Sequence, residues 1–400
     1  MAIETLISEK EMAALSKPAL EASTLPPHCY WSPDVYDAEA EHIFRREWIC
    51  VGRVEDVPSP GDFFTDLIIT EPIVVVRDGD GEIRTHLNVC RHRGCQLVQG
   101  KGTTNTFRCP YHGWMYGLNG DLRGTPDFKE TRDFDKADYP LHQVRTEIWE
   151  GFIMVNLDPE AKPFRELADE SNRWGSDKYG MGDLVTTHTW TWDLGCNWKV
   201  YVENGIEEYH VPWVHPETFQ PHAPMKGWSE FPELSEQPWG VMIGQFPGIS
   251  LSPTGQAQLP ITPTIAELPP EFDGMPICLY YPGFFVLPTL DSMVYYMILP
   301  TGPESCSLRI GLCVPRESAE AHAKEPESKT HALVEEYAAG IPDFVEEDNV
   351  ISEMQQAGIR SRSADAGRYS KHEGLAWQFD LWVAQRAYAA NGNGSNGHVR

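Results

Sequence analysis

CRHRGCQLVQGKGTTNTFRCPYHGWMY, residues 90–116, holds two Cys-His pairs, Cys90-x-His92 and Cys109-x-x-His112. Sixteen residues separate His92 from Cys109. Each half therefore supplies one thiolate and one imidazole. A structural zinc site made from these residue types commonly has two Cys at one end and two His at the other. The alternation here suits a cluster with two chemically different irons, thiolates on one and imidazoles on the other. That is the ligand set of a Rieske [2Fe–2S] centre. A catalytic Cys–His pair does not need two matched sets at a fixed gap.

Around the pairs, Gly94, Gly113 and Pro110 suit tight ligand-bearing loops. Trp114 and Tyr116 read as core packing. Upstream, Ile73–Val76 and Ile83–Leu87 flank Asp78-Gly79-Asp80-Gly81, the pattern of a hairpin with a glycine-rich turn. Asp121–Pro126 reads as an exit loop. Between Arg84 and Gly120 stand Arg84, Arg91, Arg93, Lys101 and Arg108, with no Asp or Glu. A Rieske cluster is close to neutral when oxidised and about one negative when reduced. Nearby cations would favour the reduced form and make a positive island for an acidic electron donor. The alternative is that they neutralise acids elsewhere in the fold.

The rest of the chain is strongly acidic, with a formal net charge of −27 over 400 residues. That balance excludes nucleic acid and anionic membrane surfaces as partners, and no apolar run is long enough to span a membrane. The 41% hydrophobic and 11% aromatic content is that of a folded globular protein. Residues 1–20 lack the apolar core of a signal peptide, and the nine cysteines are odd in number. Both point to reduced thiols in the cytoplasm. Cys29, Cys50, Cys196, Cys278, Cys306 and Cys313 stand among apolar neighbours and are expected to be buried; Cys95 is expected to be a packed thiol, not a ligand.

Residues 197–210, NWKVYVENGIEEYH, change period. Trp198, Tyr201, Val202, Ile206 and Tyr209 form an apolar helical stripe after the N-cap candidate Asn197. His210 and His215 follow, and Pro212 stops a continuous helix, so a helix end could let both imidazoles converge on one metal. Two imidazoles and one carboxylate leave iron(II) with open positions for dioxygen and substrate. FVEEDNVISEMQQAG offers Glu346, Glu347, Asp348 and Glu353 as the third ligand. Residues 276–315 read as an antiparallel sheet, and 328–358 as helix with a break at Gly340–Pro342. The expected fold is α+β: a small all-β domain, then a larger catalytic domain with an antiparallel sheet flanked by helices. The expected boundaries are an N-terminal segment 1–44 packed on the catalytic domain, a Rieske domain 45–158, a catalytic domain 159–390 and a tail 391–400.

In order and spacing, CRHRG…CPYHGW, NWKVYVEN…EEYHVPWVH and EDNVISEMQ resemble the catalytic α subunit of the Rieske non-haem iron oxygenases. The resemblance extends from about residue 28 to 385. It implies that Cys90 and Cys109 hold one cluster iron, and His92 and His112 the other. It implies a mononuclear iron(II) held by His210, His215 and Asp348, and a bridging carboxylate at Glu207 joining His112 of one subunit to His210 of its neighbour in a homotrimer. Many members carry Asp at the bridge; Glu207 resembles the oxygenases of carnitine-like quaternary amines. The implied activity is that of a terminal oxygenase using dioxygen and NAD(P)H-derived electrons. The implied partners are a small-molecule substrate and a separate reductase, with or without a ferredoxin; this chain has no nicotinamide- or flavin-binding fingerprint. Aromatic hydroxylation, the broadest class in the family, is the expected reaction. The alternatives are N-demethylation or hydroxylation of a quaternary amine, and an electron carrier without oxygenase activity. Trp213, Tyr280, Tyr281, Phe284 and Phe285 are the candidate pocket lining.

Overall fold

The structure, a computed structural model, describes residues 6–172, 179–221, 223–230, 238–244, 258–260 and 275–388. The expected tail, 391–400, lies outside them. The chain divides into two compact units, Phe44–Glu166, and Met1–Ile43 with Leu167–Arg400.

The 44–166 unit is built on β1 (Ile49–Arg53), β2 (Asp62–Ile68), β3 (Glu71–Arg77), β4 (Ile83–Leu87), β5 (Lys101–Thr103), β6 (Phe107–Arg108), β7 (Met115–Tyr116), β8 (Leu122–Gly124), β9 (Gln143–Trp149) and β10 (Phe152–Asn156). Seven strands run β1-β10-β9-β4-β3-β2-β5, and a small sheet runs β6-β7-β8. The expected hairpin is β3–β4, in the register Val74↔His86 and Val76↔Arg84. The Asp78 carboxylate holds its turn by accepting from the N–H groups of Asp80 (2.9 Å) and Glu82 (3.1 Å). The expected exit loop at 121–126 instead contains β8, because Leu122 pairs with Tyr116 and is buried. Val74, Val76, Phe107, Trp114 and Tyr116 form a core that closes over Cys90 and Cys109.

The larger unit contains α1 (Glu9–Leu15), α2 (Pro33–Glu39), α3 (Phe164–Asn172, which begins in the smaller unit), α4 (Trp198–Asn204), α5 (Val211–Val214), α6 (Arg316–Lys324), α7 (Lys329–Ile359) and α8 (Gly374–Val383). Its strands are β11 (Leu184–Leu194), β12 (Trp228–Glu230), β13 (Trp239–Gly244), β14 (Met275–Tyr280), β15 (Phe284–Pro288), β16 (Met293–Gly302) and β17 (Ser305–Pro315). They form one antiparallel sheet in the order β11-β17-β16-β15-β14-β13-β12. All six cysteines expected to be buried are buried.

The short helix α4 is buried from Trp198 to Val202. Its Lys199 ammonium lies 2.6 Å from the buried Glu39 carboxylate, which also accepts from Trp198 Nε1 at 2.8 Å. Asn197 caps it as expected, accepting from Lys199 N–H at 3.0 Å. The helix was expected to run to His210, but it stops at Asn204. Gly205 disfavours continuation, and the Glu207 carboxylate takes the N–H groups of Tyr209 and His210 out of the helical ladder. Pro212 then sits in the first turn of α5, where a missing N–H costs nothing.

A second difference concerns α7, which runs unbroken through Pro342. Val334, Ala338, Ile341 and Val345 are all buried and share one face across the proline. Their burial outweighs the ~3 kcal/mol that an interior proline costs.

Candidate active site

Two candidate ligand sets emerge, one in each unit. In the smaller unit, two loops of similar construction present the Cys-His pairs. Gly94 and Gly113 both have φ of +73°, which a side chain would oppose. Gly94 N–H donates to the Cys90 carbonyl (2.9 Å) and Gly113 N–H to the Cys109 carbonyl (3.0 Å), closing matching turns. Cys90 and Cys109 are buried, whereas His92 is half-buried and His112 exposed. The Nδ1 atoms of His92 and His112 lie 3.2 Å apart, close to the spacing of two ligands on one metal at bond lengths of about 2.1 Å.

The His92 ring stacks on Trp114, centroids 4.9 Å apart. Burial raises the Cys109 pKa, but the N–H groups of Tyr111 and His112 outweigh it and leave the thiol below its ordinary value. The Tyr116 hydroxyl lies 3.4 Å from Cys90 Sγ and accepts from Arg91 N–H at 3.0 Å. Two thiols at a dry end and two imidazoles at a wetter one fit the Rieske cluster. Cys95 is half-buried and packs against the same core.

Two of the five cations are paired with acids: Arg84 with Asp78 (2.5 Å) and Lys101 with Asp56 (2.7 Å). Arg91 donates to the Pro140 carbonyl (3.2 Å), and Arg93 and Arg108 are exposed. The sequence alternatives are thus divided among these residues.

In the larger unit, His210 leads into α5, His215 follows it and Asp348 projects from α7. Their ligand atoms all lie within 4.8 Å of one another. Asp348 Oδ1 is 2.9 Å from His215 Nε2 and 3.6 Å from His210 Nε2. Both rings therefore turn Nε2 inward. Each outward Nδ1 meets a carboxylate, Glu207 Oε1 for His210 (2.5 Å) and Glu347 Oε2 for His215 (2.7 Å). Thr218 donates to the same Glu347 oxygen at 2.6 Å.

A carboxylate on Nδ1–H fixes the tautomer and orients the Nε2 lone pair towards a metal. Burial lowers the His215 pKa, but Asp348 and Glu347 outweigh it and raise the value above normal. The donor set fits a two-histidine, one-carboxylate iron site.

The three candidate ligands border a partly open pocket walled by Tyr201, Phe219, Trp228, Met242, Phe285, Tyr296 and Phe344, with Glu207 and Glu208 also in its lining. Glu208 is only 2% exposed. Its Oε1 lies 2.9 Å from His372 Nδ1, and among the described residues Oε2 has no hydrogen-bond partner.

Of the expected lining residues, only Phe285 reaches this pocket. Phe284 alternates to the other face of β15 and stacks on Tyr280. Tyr281 packs on Phe379 and Trp382. Trp213, on the outer side of α5, is 80% exposed. Phe219, Trp228, Tyr296 and Phe344 carried no sequence signal, because distant elements bring them together. Glu347 was legible as one of four candidate acids, but its contact with His215 was not.

Residues 181–389 match the model of the ring-hydroxylating alpha subunit (catalytic domain), and residues 47–136 that of the Rieske [2Fe–2S] domain. The chain is 30% identical over 255 residues to the carnitine monooxygenase oxygenase subunit of Acinetobacter pittii, covering 63% of this chain and 66% of that relative. It is 27% identical over 361 residues to the chloroplastic choline monooxygenase of Beta vulgaris, covering 88% of this chain and 74% of that one. The solved structure of a quaternary ammonium Rieske monooxygenase has the same fold, with a TM-score of 0.79 and 24% identity over 96% of this chain and 100% of that chain.

Proposed function

This chain belongs to the ring-hydroxylating alpha-subunit family, with a Rieske domain ahead of its catalytic domain, and on that premise we propose that it is the terminal oxygenase of a multicomponent system. The observation that carries this reading is the convergence of His210, His215 and Asp348 on an aromatic-walled pocket. When bound, the cluster held by Cys90, His92, Cys109 and His112 supplies electrons, and iron held by the triad supplies dioxygen activation.

The chain's own side chains do the rest. Glu207 and Glu347 fix the two imidazoles, and the apolar wall displaces water from the pocket. Glu207 is also our candidate for the electron path, reaching His112 of a neighbouring subunit in a homotrimer. Exposed Tyr111 beside His112, and exposed Tyr209 and Trp213 beside the triad, support such a contact. The partner is a separate NAD(P)H-dependent reductase, with or without a ferredoxin, docking near exposed Arg93 and Arg108. No helix among the described residues is long and apolar enough to cross a membrane; the cytoplasm is the proposed compartment.

Substrate class follows from Glu208. A buried carboxylate with one unpartnered oxygen beside aromatic faces favours a substituted ammonium group, held by charge and cation–π attraction. The proposed reaction is therefore oxygenation of a small cationic amine, in place of the neutral arene expected from family breadth. The apolar majority of the wall supports ring hydroxylation as a second reading.

Reductase-coupled oxygen uptake separates them. Methylated ammonium compounds are expected to stimulate uptake, and Glu208→Gln to raise their KM about tenfold, near 1.4 kcal/mol. Uptake with neutral arenes alone would overturn the amine reading. No substrate-dependent uptake by protein holding both metal centres would leave an electron carrier.

A further inference from the structure

A second cluster of metal-ligating side chains lies in the larger unit, built from residues that the iron site does not use. His188 stands on β11, His322 in the last turn of α6 and Glu335 in the second turn of α7. Their donor atoms all lie within 4.8 Å of one another. His188 Nε2 is 3.4 Å and His322 Nε2 2.7 Å from the same Glu335 oxygen. We propose that His188, His322 and Glu335 form a second metal site that binds a zinc-class divalent transition ion and ties β11, α6 and α7 together.

The surroundings aim these groups. The pairing of β11 with β17 shifts register between Thr186 and His188, and such a bulge redirects the side chain that follows it. His188 Nδ1 lies 3.2 Å from Thr187 Oγ1, so Nε2 is the nitrogen presented to the cluster. His322 is backed by the ring of His331, stacked at 4.6 Å, while His331 Nδ1 bonds the His322 carbonyl at 2.9 Å. Both histidine side chains are partly buried, and Glu335 is half exposed.

Two imidazoles and one carboxylate make a common zinc ligand set, and water can complete the tetrahedron. Tetrahedral bonds of about 2.0–2.1 Å place ligand atoms roughly 3.3 Å apart. The His188–Glu335 separation already matches, the His322–Glu335 separation of 2.7 Å would open by about 0.6 Å, and the two imidazole donors, within 4.8 Å of each other, complete the set. The −27 net charge draws cations to the protein.

The test is equilibrium dialysis of the iron-loaded full chain against zinc(II), with metal analysis and thermal melting. The expected result is one zinc per chain beyond the iron, a zinc-dependent rise in Tm, and at least about tenfold weaker uptake in both His322→Ala and Glu335→Gln. Iron content and the [2Fe–2S] absorption report whether each variant is folded. Glu335→Gln, at a half-exposed position, serves if His322→Ala does not fold. Failure of the parent to take up zinc, or undiminished uptake by Glu335→Gln, would overturn the proposal. An Asp348→Ala control keeps the second-site uptake if the zinc binds there, and loses it if the zinc had entered the iron triad.

Discussion

In the smaller unit the four proposed ligands lie between residues 90 and 112, and the backbone holds them. In the larger unit the three proposed ligands lie between residues 210 and 348, and other side chains hold them. Gly94 and Gly113 close the loops around Cys90 and Cys109, and N–H groups of the loop itself lower the Cys109 pKa. His210 and His215 instead depend on Glu207 and Glu347, and α7 brings Asp348 to them. A site held by its own loop is compact in sequence. One held by side chains from separate elements can be reshaped at its walls while its ligands stay put.

Substitutions can break this contrast. Cys109→Ser removes a proposed cluster thiolate, and the proposed reductase-coupled turnover should fall by at least about 10³-fold, or ~4 kcal/mol of barrier. Acid-labile sulfide and the paramagnetic signal of the reduced cluster should vanish with it. Asp348→Ala should depress oxygen uptake comparably while leaving that signal unchanged. An altered cluster signal would mean that the two regions are not independently held.

Glu347→Gln probes the supporting layer: iron affinity should drop 10- to 100-fold, read by metal analysis, with full sulfide content. The counterpart in the smaller unit is Tyr116→Phe, which deletes the hydroxyl near Cys90 Sγ. A bond worth about 1 kcal/mol more to the reduced state shifts a one-electron midpoint down by about 40 mV. Cluster content should not change, because the backbone contacts remain. A Tyr116→Phe effect as severe as that of Glu347→Gln would erase the distinction.

The same contrast explains what the sequence could reveal. The Cys-His pairs were readable because a contiguous loop writes its ligands at fixed spacing. His210 and His215 stood out for the same reason, and the structure places Asp348 beside them. The pocket wall was not. Phe285 and Phe284 are adjacent in sequence but face opposite sides of a strand. Phe219, Trp228 and Phe344 meet only after the sheet and α7 have formed. The early end of α4 was hidden because a side chain, Glu207, competes there with the backbone for hydrogen bonds.

Helix α7 joins the two candidate metal positions of the larger unit, with Glu335 and Asp348 about 20 Å apart along its axis. Between them lie Gly340 and Pro342, the two residue types least favourable to helix, and Pro342 offers no N–H to the carbonyl one turn earlier. The centre of the rod is therefore its cheapest point of opening, although the helix is continuous. Hydrogen exchange would resolve it into two protected halves joined by a turn that breathes, six residues before the carboxylate proposed to complete the iron triad.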